Sequence, residues 1–127
     1  SVNKRRKKRT QPLTIERWLE KTEINTVLEA LNAMDCDTPE IHFAVVRAKY
    51  IILTLFYTGL RLAEISNHTM GNFTLLEGEW YLKVIGKGEK PRNIVVVDEY
   101  LDALISFRKS IGCPSALPEF QESTPLI

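Results

Sequence analysis

Arg61 and Glu64 stand three residues apart, directly after the turn signal Thr58-Gly59-Leu60. Gly59 fits the left-handed end of a helix, because only glycine takes that conformation without strain. A short helix over about 61–67 would begin at once, with Arg61 in its first turn. A cation there faces the positive end of the helix dipole, at a cost of about a few tenths of a kcal/mol. Two partners would offset that cost. One is Glu64 at i+3, giving an ordinary pair on the helix surface. The other is an external anion, because a helix start that carries an arginine binds phosphate well. Further along, Lys83, Lys87, Lys90 and Arg92 cluster around Gly86-Lys87-Gly88. Gly-Lys-Gly is ordinary hairpin chemistry, and no G-x-x-x-x-G-K-[ST] phosphate loop occurs.

The elements that must position these groups follow from pattern. Thr22 is a candidate N-cap, and Ile24, Val27, Leu28 and Leu31 repeat on one face of a helix over about 23–34. Asp37-Thr38-Pro39-Glu40 is a helix start, with Thr38 as cap and Pro39 at the first helical position. That helix should run to about Tyr57 as the central buried element, apolar nearly all round after Lys49. After the 61–67 helix the period changes to that of strands. Residues 72–76, 80–85 and 92–97 read as an antiparallel meander, with a turn at Glu77-Gly78-Glu79 and a hairpin loop at 86–90. Asp98 is a candidate N-cap for a helix over about 99–111, with Leu101, Leu104, Ile105 and Arg108 at helical spacing. Gly112 and Pro114 end it, and the rest is Pro- and polar-rich. The expected class is α+β: mainly helical, with a small three-stranded antiparallel sheet.

Thr58-Gly59-Leu60-Arg61-x-x-Glu64 resembles the first active-site box of the tyrosine recombinases, the phage integrase family. Gly86-Lys87-Gly88-Glu89-Lys90-Pro91-Arg92, followed by an apolar strand, is similar to that family's lysine hairpin. Order, spacing and intervening strand pattern carry the likeness, which covers roughly residues 20–112. It implies a site-specific recombinase that cuts and rejoins double-stranded DNA. A tyrosine attacks the scissile phosphate, leaving a 3′-phosphotyrosyl link and a free 5′-hydroxyl. Bond energy stays in the covalent intermediate, so neither a nucleotide cofactor nor a metal is implied. Cationic side chains neutralise the phosphoryl oxygens instead.

The resemblance gives Arg61 the role of a phosphate clamp, whose planar fork holds two oxygens at once. Glu64 would orient it. Lys87 would be the general acid on the leaving 5′-oxygen. A lysine at its ordinary pKa of about 10.4 donates poorly near neutrality, so burial or the neighbouring Arg61 would have to lower it. Lys83, Lys90 and Arg92 would hold the DNA backbone without reading sequence; a solvated strand face is the alternative.

The family's later H-x-x-R box does not occur. Tyr50, Tyr57, Tyr81 and Tyr100 all precede the expected position of the nucleophile, and none is assigned that role. The expectation is therefore the N-terminal part of a catalytic domain over residues 13–127, inactive alone, preceded by an arm or interdomain linker over residues 1–12. A non-catalytic DNA-binding protein on the same scaffold is the alternative. A helical interaction domain with no DNA role is a third reading. Self-association on DNA is expected of the full-length protein.

Charge sharpens the picture. Six of the seventeen basic residues are Lys4, Arg5, Arg6, Lys7, Lys8 and Arg9. The remaining eleven face sixteen acidic side chains over residues 10–127. The body is not a generic polyanion binder, so DNA contact would use local patches and this arm. The arm would track phosphates with salt-dependent affinity, or serve as a solvated linker. Cys36 and Cys113 are far apart and lack metal-ligand spacing, which suggests reduced thiols in a cytoplasmic protein. His42 and His68 are isolated and read as surface or half-buried side chains. The apolar run 41–57 is broken by His42, Arg47 and Lys49 and reads as a core helix rather than a membrane span.

Overall fold

A computed structural model describes residues 20–86, 88 and 90–127. Helix α1 spans Lys21–Ala33 and buries Ile24 and Leu28. Its cap is Glu20 rather than Thr22: the Glu20 N–H donates to Glu23 Oε1 at 2.8 Å. Thr22 lies inside the helix, where its carbonyl accepts from Thr26 Oγ1 at 3.0 Å.

Helix α2 spans Pro39–Thr58 and starts as its sequence signals require. Thr38 Oγ1 accepts the Ile41 N–H at 3.2 Å, and Pro39 occupies the first turn, where a missing N–H costs nothing. It ends at Gly59, whose φ of 71° turns the chain and whose N–H donates to Leu55 O at 2.9 Å. Among the described residues α2 is the one helix long and apolar enough to cross a membrane. Here Val45, Tyr50, Leu53 and Phe56 of that helix are buried in the fold's own core.

The short helix α3, Leu62–Ile65, and a 3₁₀ turn at Met70–Asn72 lead into the sheet. Strands β1 (Phe73–Leu76), β2 (Glu79–Val84) and β3 (Arg92–Val95) form an antiparallel sheet in the order β1-β2-β3. A two-residue turn joins β1 to β2, with Glu77 and Gly78 both at positive φ (50° and 84°), which matches strand twist. Register pairs Phe73 with Leu82 and Leu82 with Ile94, so these side chains share one face, turned to the core. Helix α4, Asp98–Ser110, then packs against α2. Its cap is Val97 rather than Asp98: the Val97 carbonyl accepts the Leu101 N–H at 2.9 Å, leaving Asp98 and Glu99 as first-turn acids.

The core is aromatic where α2 meets α4. Tyr50 stacks on Phe107 with centroids 4.3 Å apart, and Tyr100 lies between Tyr50 and Tyr57 at 6.1 and 5.9 Å. Both buried hydroxyls are satisfied: Tyr50 OH donates to Leu126 O and Tyr100 OH to Thr54 Oγ1, each at 2.8 Å. Burial pushes both phenols well above their ordinary range.

Residues 113–127 are irregular in backbone yet tightly held. Arg108, fully buried, donates from Nη1 to Glu122 Oε2 at 2.8 Å and from Nε and Nη2 to Ser115 O at 3.2 and 3.1 Å. The segment then lies across the 3₁₀ turn. Gly71 N–H donates to Glu122 O at 2.8 Å, Met70 N–H to Thr124 O at 2.7 Å and Leu126 N–H to His68 O at 3.0 Å.

Candidate functional site

The turn after α2 is built from its backbone outward. Thr58 is buried and its Oγ1 accepts the Leu60 N–H at 3.2 Å, which fixes the reversal through Gly59. Leu60 is buried and anchors the chain, so Arg61 emerges into solvent. Arg61 is not in the first turn of a 61–67 helix as its sequence suggests. It is the residue before α3, with extended backbone (φ −81°, ψ 158°), and the α-helical turn covers only Leu62–Ile65. Glu64 Oε1 accepts the Arg61 backbone N–H at 2.9 Å, so the carboxylate holds the main chain from which the guanidinium projects.

The foot of the hairpin is joined to this turn. Arg92, at the start of β3, sits opposite Val84 on the inner face of the sheet. Its Nη2 donates to the Thr58 carbonyl at 2.8 Å. That carbonyl is at the exposed-dipole end of α2, where a cation is stabilising. Lys83 pairs with Asn93 and lies on the opposite, solvent face, and Lys90 is exposed on the returning leg. The cations expected to share DNA contacts are thus divided: Arg92 is half-buried and turned inward, while Lys83 and Lys90 are open. Lys87 lies outside the described residues, as do Lys4, Arg5, Arg6, Lys7, Lys8 and Arg9.

Sequence gives His68 no role and a surface or half-buried place, whereas in the fold it is buried, 5% exposed. Nδ1 is 3.1 Å from Glu64 O, and Nε2 accepts the Ile85 N–H at 3.0 Å. The imidazole therefore spans from α3 to the end of β2. A cleft of about 510 Å³ opens beside it, bounded by Ala63, Glu64, Asn72, Ile85 and Gly86. No sequence signal marked His68, because both of its partners are backbone groups.

Chemically, the arrangement offers an exposed guanidinium on a rigid turn, beside the foot of a hairpin that carries further cations. Such a site can bind and polarise a phosphate. Compared with family models, curated proteins and solved structures, the chain matches none.

Proposed function

We infer that this chain is the N-terminal part of the catalytic domain of a site-specific tyrosine recombinase, a cytoplasmic protein that breaks and rejoins double-stranded DNA through a 3′-phosphotyrosyl intermediate. The observation that supports this reading best is the 2.8 Å bond from Arg92 Nη2 to Thr58 O. It ties the base of the Gly86–Arg92 hairpin to the turn that presents Arg61, so the two motifs that resemble the family belong to one local unit. In this reading Arg61 clamps the scissile phosphate and Glu64 holds its backbone. Lys87 protonates the leaving 5′-oxygen, and Lys83, Lys90 and the basic arm hold flanking phosphates. The nucleophilic tyrosine is supplied from outside residues 1–127, and copies associate on DNA.

The test uses the parent reading frame and nicked duplexes drawn from DNA flanking its own gene. The expected result is a covalent protein–DNA adduct that survives denaturation. Arg61→Ala should slow its formation by about 10²–10³-fold, the usual effect of removing one charge-stabilising donor, while DNA binding persists. Salt-sensitive binding without any adduct would favour a non-catalytic DNA-binding protein on this scaffold. Absence of salt-sensitive binding would remove DNA from the reading altogether.

A further inference from the structure

His68 sits where a side chain can govern the spacing of the site's two halves. A backbone N–H only donates, so the Ile85 N–H at 3.0 Å requires an unprotonated Nε2. A carbonyl only accepts, so Glu64 O at 3.1 Å requires the proton on Nδ1. One neutral tautomer satisfies both bonds, and the planar ring leaves little freedom between them.

The two bonded residues are those that matter to the site. Glu64 is the residue whose carboxylate caps the Arg61 N–H. Ile85 is the last residue before the Gly86-Lys87-Gly88 loop. The ring's own mounting is also fixed, because His68 N–H donates to Ile65 O at 3.0 Å and His68 O accepts the Leu126 N–H at 3.0 Å. The imidazole is thus a strut between the segment that presents Arg61 and the foot of the lysine hairpin.

We propose that His68 is a positioning residue that holds the hairpin foot at Ile85 against the Arg61 turn. The proposal rests on the recombinase reading for the reaction it serves, and on geometry alone for the strut. An apolar side chain of similar size would fill the space but leave the Ile85 N–H without its acceptor. Glutamine reaches far enough to supply one.

Two variants separate bridging from filling. His68→Leu keeps volume and loses both bonds; His68→Gln retains an acceptor for Ile85. On the 127-residue chain, ring nitrogen NMR shifts should report the Nδ1–H tautomer. The Ile85 amide should be protected from hydrogen exchange in the wild type and H68Q, and exposed in H68L. In the parent protein at saturating nicked duplex, H68L should form adduct about 100-fold more slowly, as expected for a misplaced catalytic group. DNA affinity should be unchanged, and H68Q should recover most of the rate. If H68L does not fold, His68→Asn, which keeps the Glu64 bond and loses the Ile85 bond, takes its place. An Nε2–H tautomer or an unprotected Ile85 amide overturns the strut. A wild-type rate in H68L overturns the positioning role while the recombinase reading stands. No adduct from the wild type overturns that reading, and the role with it.

Discussion

Replacing Glu122 tests how the last segment is held to the body. Arg108 is 0% exposed and its side chain meets Glu122 Oε2 at 2.8 Å, with Ser115 O and Oγ as its other acceptors. Glu122→Ala leaves a buried guanidinium without its counter-charge, which costs about 3–5 kcal/mol. A domain of this size has about 5–15 kcal/mol in all, so the loss is a large fraction of it. Glu122→Gln also removes the counter-charge but keeps an oxygen for Arg108, so it should cost less than E122A, about 2–3 kcal/mol. Urea unfolding at neutral pH, compared at constant m, measures both. Acid supplies a second check. The Arg108 bond holds the Glu122 carboxyl down from 4.5 to about 2. Between those values the unfolded chain takes up a proton that the folded chain does not, so this contribution is complete above pH 4.5 and fades as pH falls towards 2. Wild type should therefore lose more stability across that window than E122Q does. Parallel acid profiles, or an E122A variant within about 0.5 kcal/mol of wild type, the range of a plain surface change, would refute the argument.

Two glycines should fail for different reasons. At Gly71 an added Cβ would lie 2.8 Å from both N and O of Glu122, backbone atoms that cannot swing away; Gly71→Ala should cost about 1–3 kcal/mol by overpacking, read as a lower unfolding midpoint. At Gly59 nothing lies within 4 Å of that Cβ, and only the left-handed φ of 71° objects; Gly59→Ala should cost about 1–2 kcal/mol, measured the same way. For DNA binding, deleting residues 1–9 removes six cations. The slope of log affinity against log salt should become shallower by up to about 5 if all six meet phosphates. An unchanged slope in a titration series would assign the arm to a linker role.

Sequence disclosed what is local. Thr38 and Pro39 announce α2 and Gly59 its end, because caps and left-handed turns are short-range chemistry. The α+β class followed from periodicity, and the strands differ from expectation only at their ends. The missed caps at Glu20 and Val97 have a common cause: Thr22 and Asp98 have the right chemistry, but each lies one or two residues inside a helix that starts earlier. Arg61 departs in the opposite direction: its spacing suggests a first-turn residue and it is the cap, because the α3 turn is four residues long and too short to carry a periodic signal.

What sequence conceals is held across the chain, much of it by backbone partners. Arg108 looked like one more member of an apolar stripe, and it is in fact buried there, bonded to Glu122 and to the Ser115 carbonyl. Residues 113–127 read only as Pro- and polar-rich, and they lie across Met70–Gly71 by main-chain bonds, a close approach that the missing Cβ of Gly71 allows. His68 has the same character, bonding a carbonyl on one side and an amide on the other. The contacts of His68 and of residues 122–126 converge on one stretch, residues 68–71, which separates α3 from the sheet. Hence the distance between the Arg61 turn and the hairpin foot is set by what grips the chain between them as well as by the motifs. Arg92 closes the arrangement from the far side through Thr58 O. A site read from its motifs alone would supply the groups that do the chemistry and leave out the framework that spaces them.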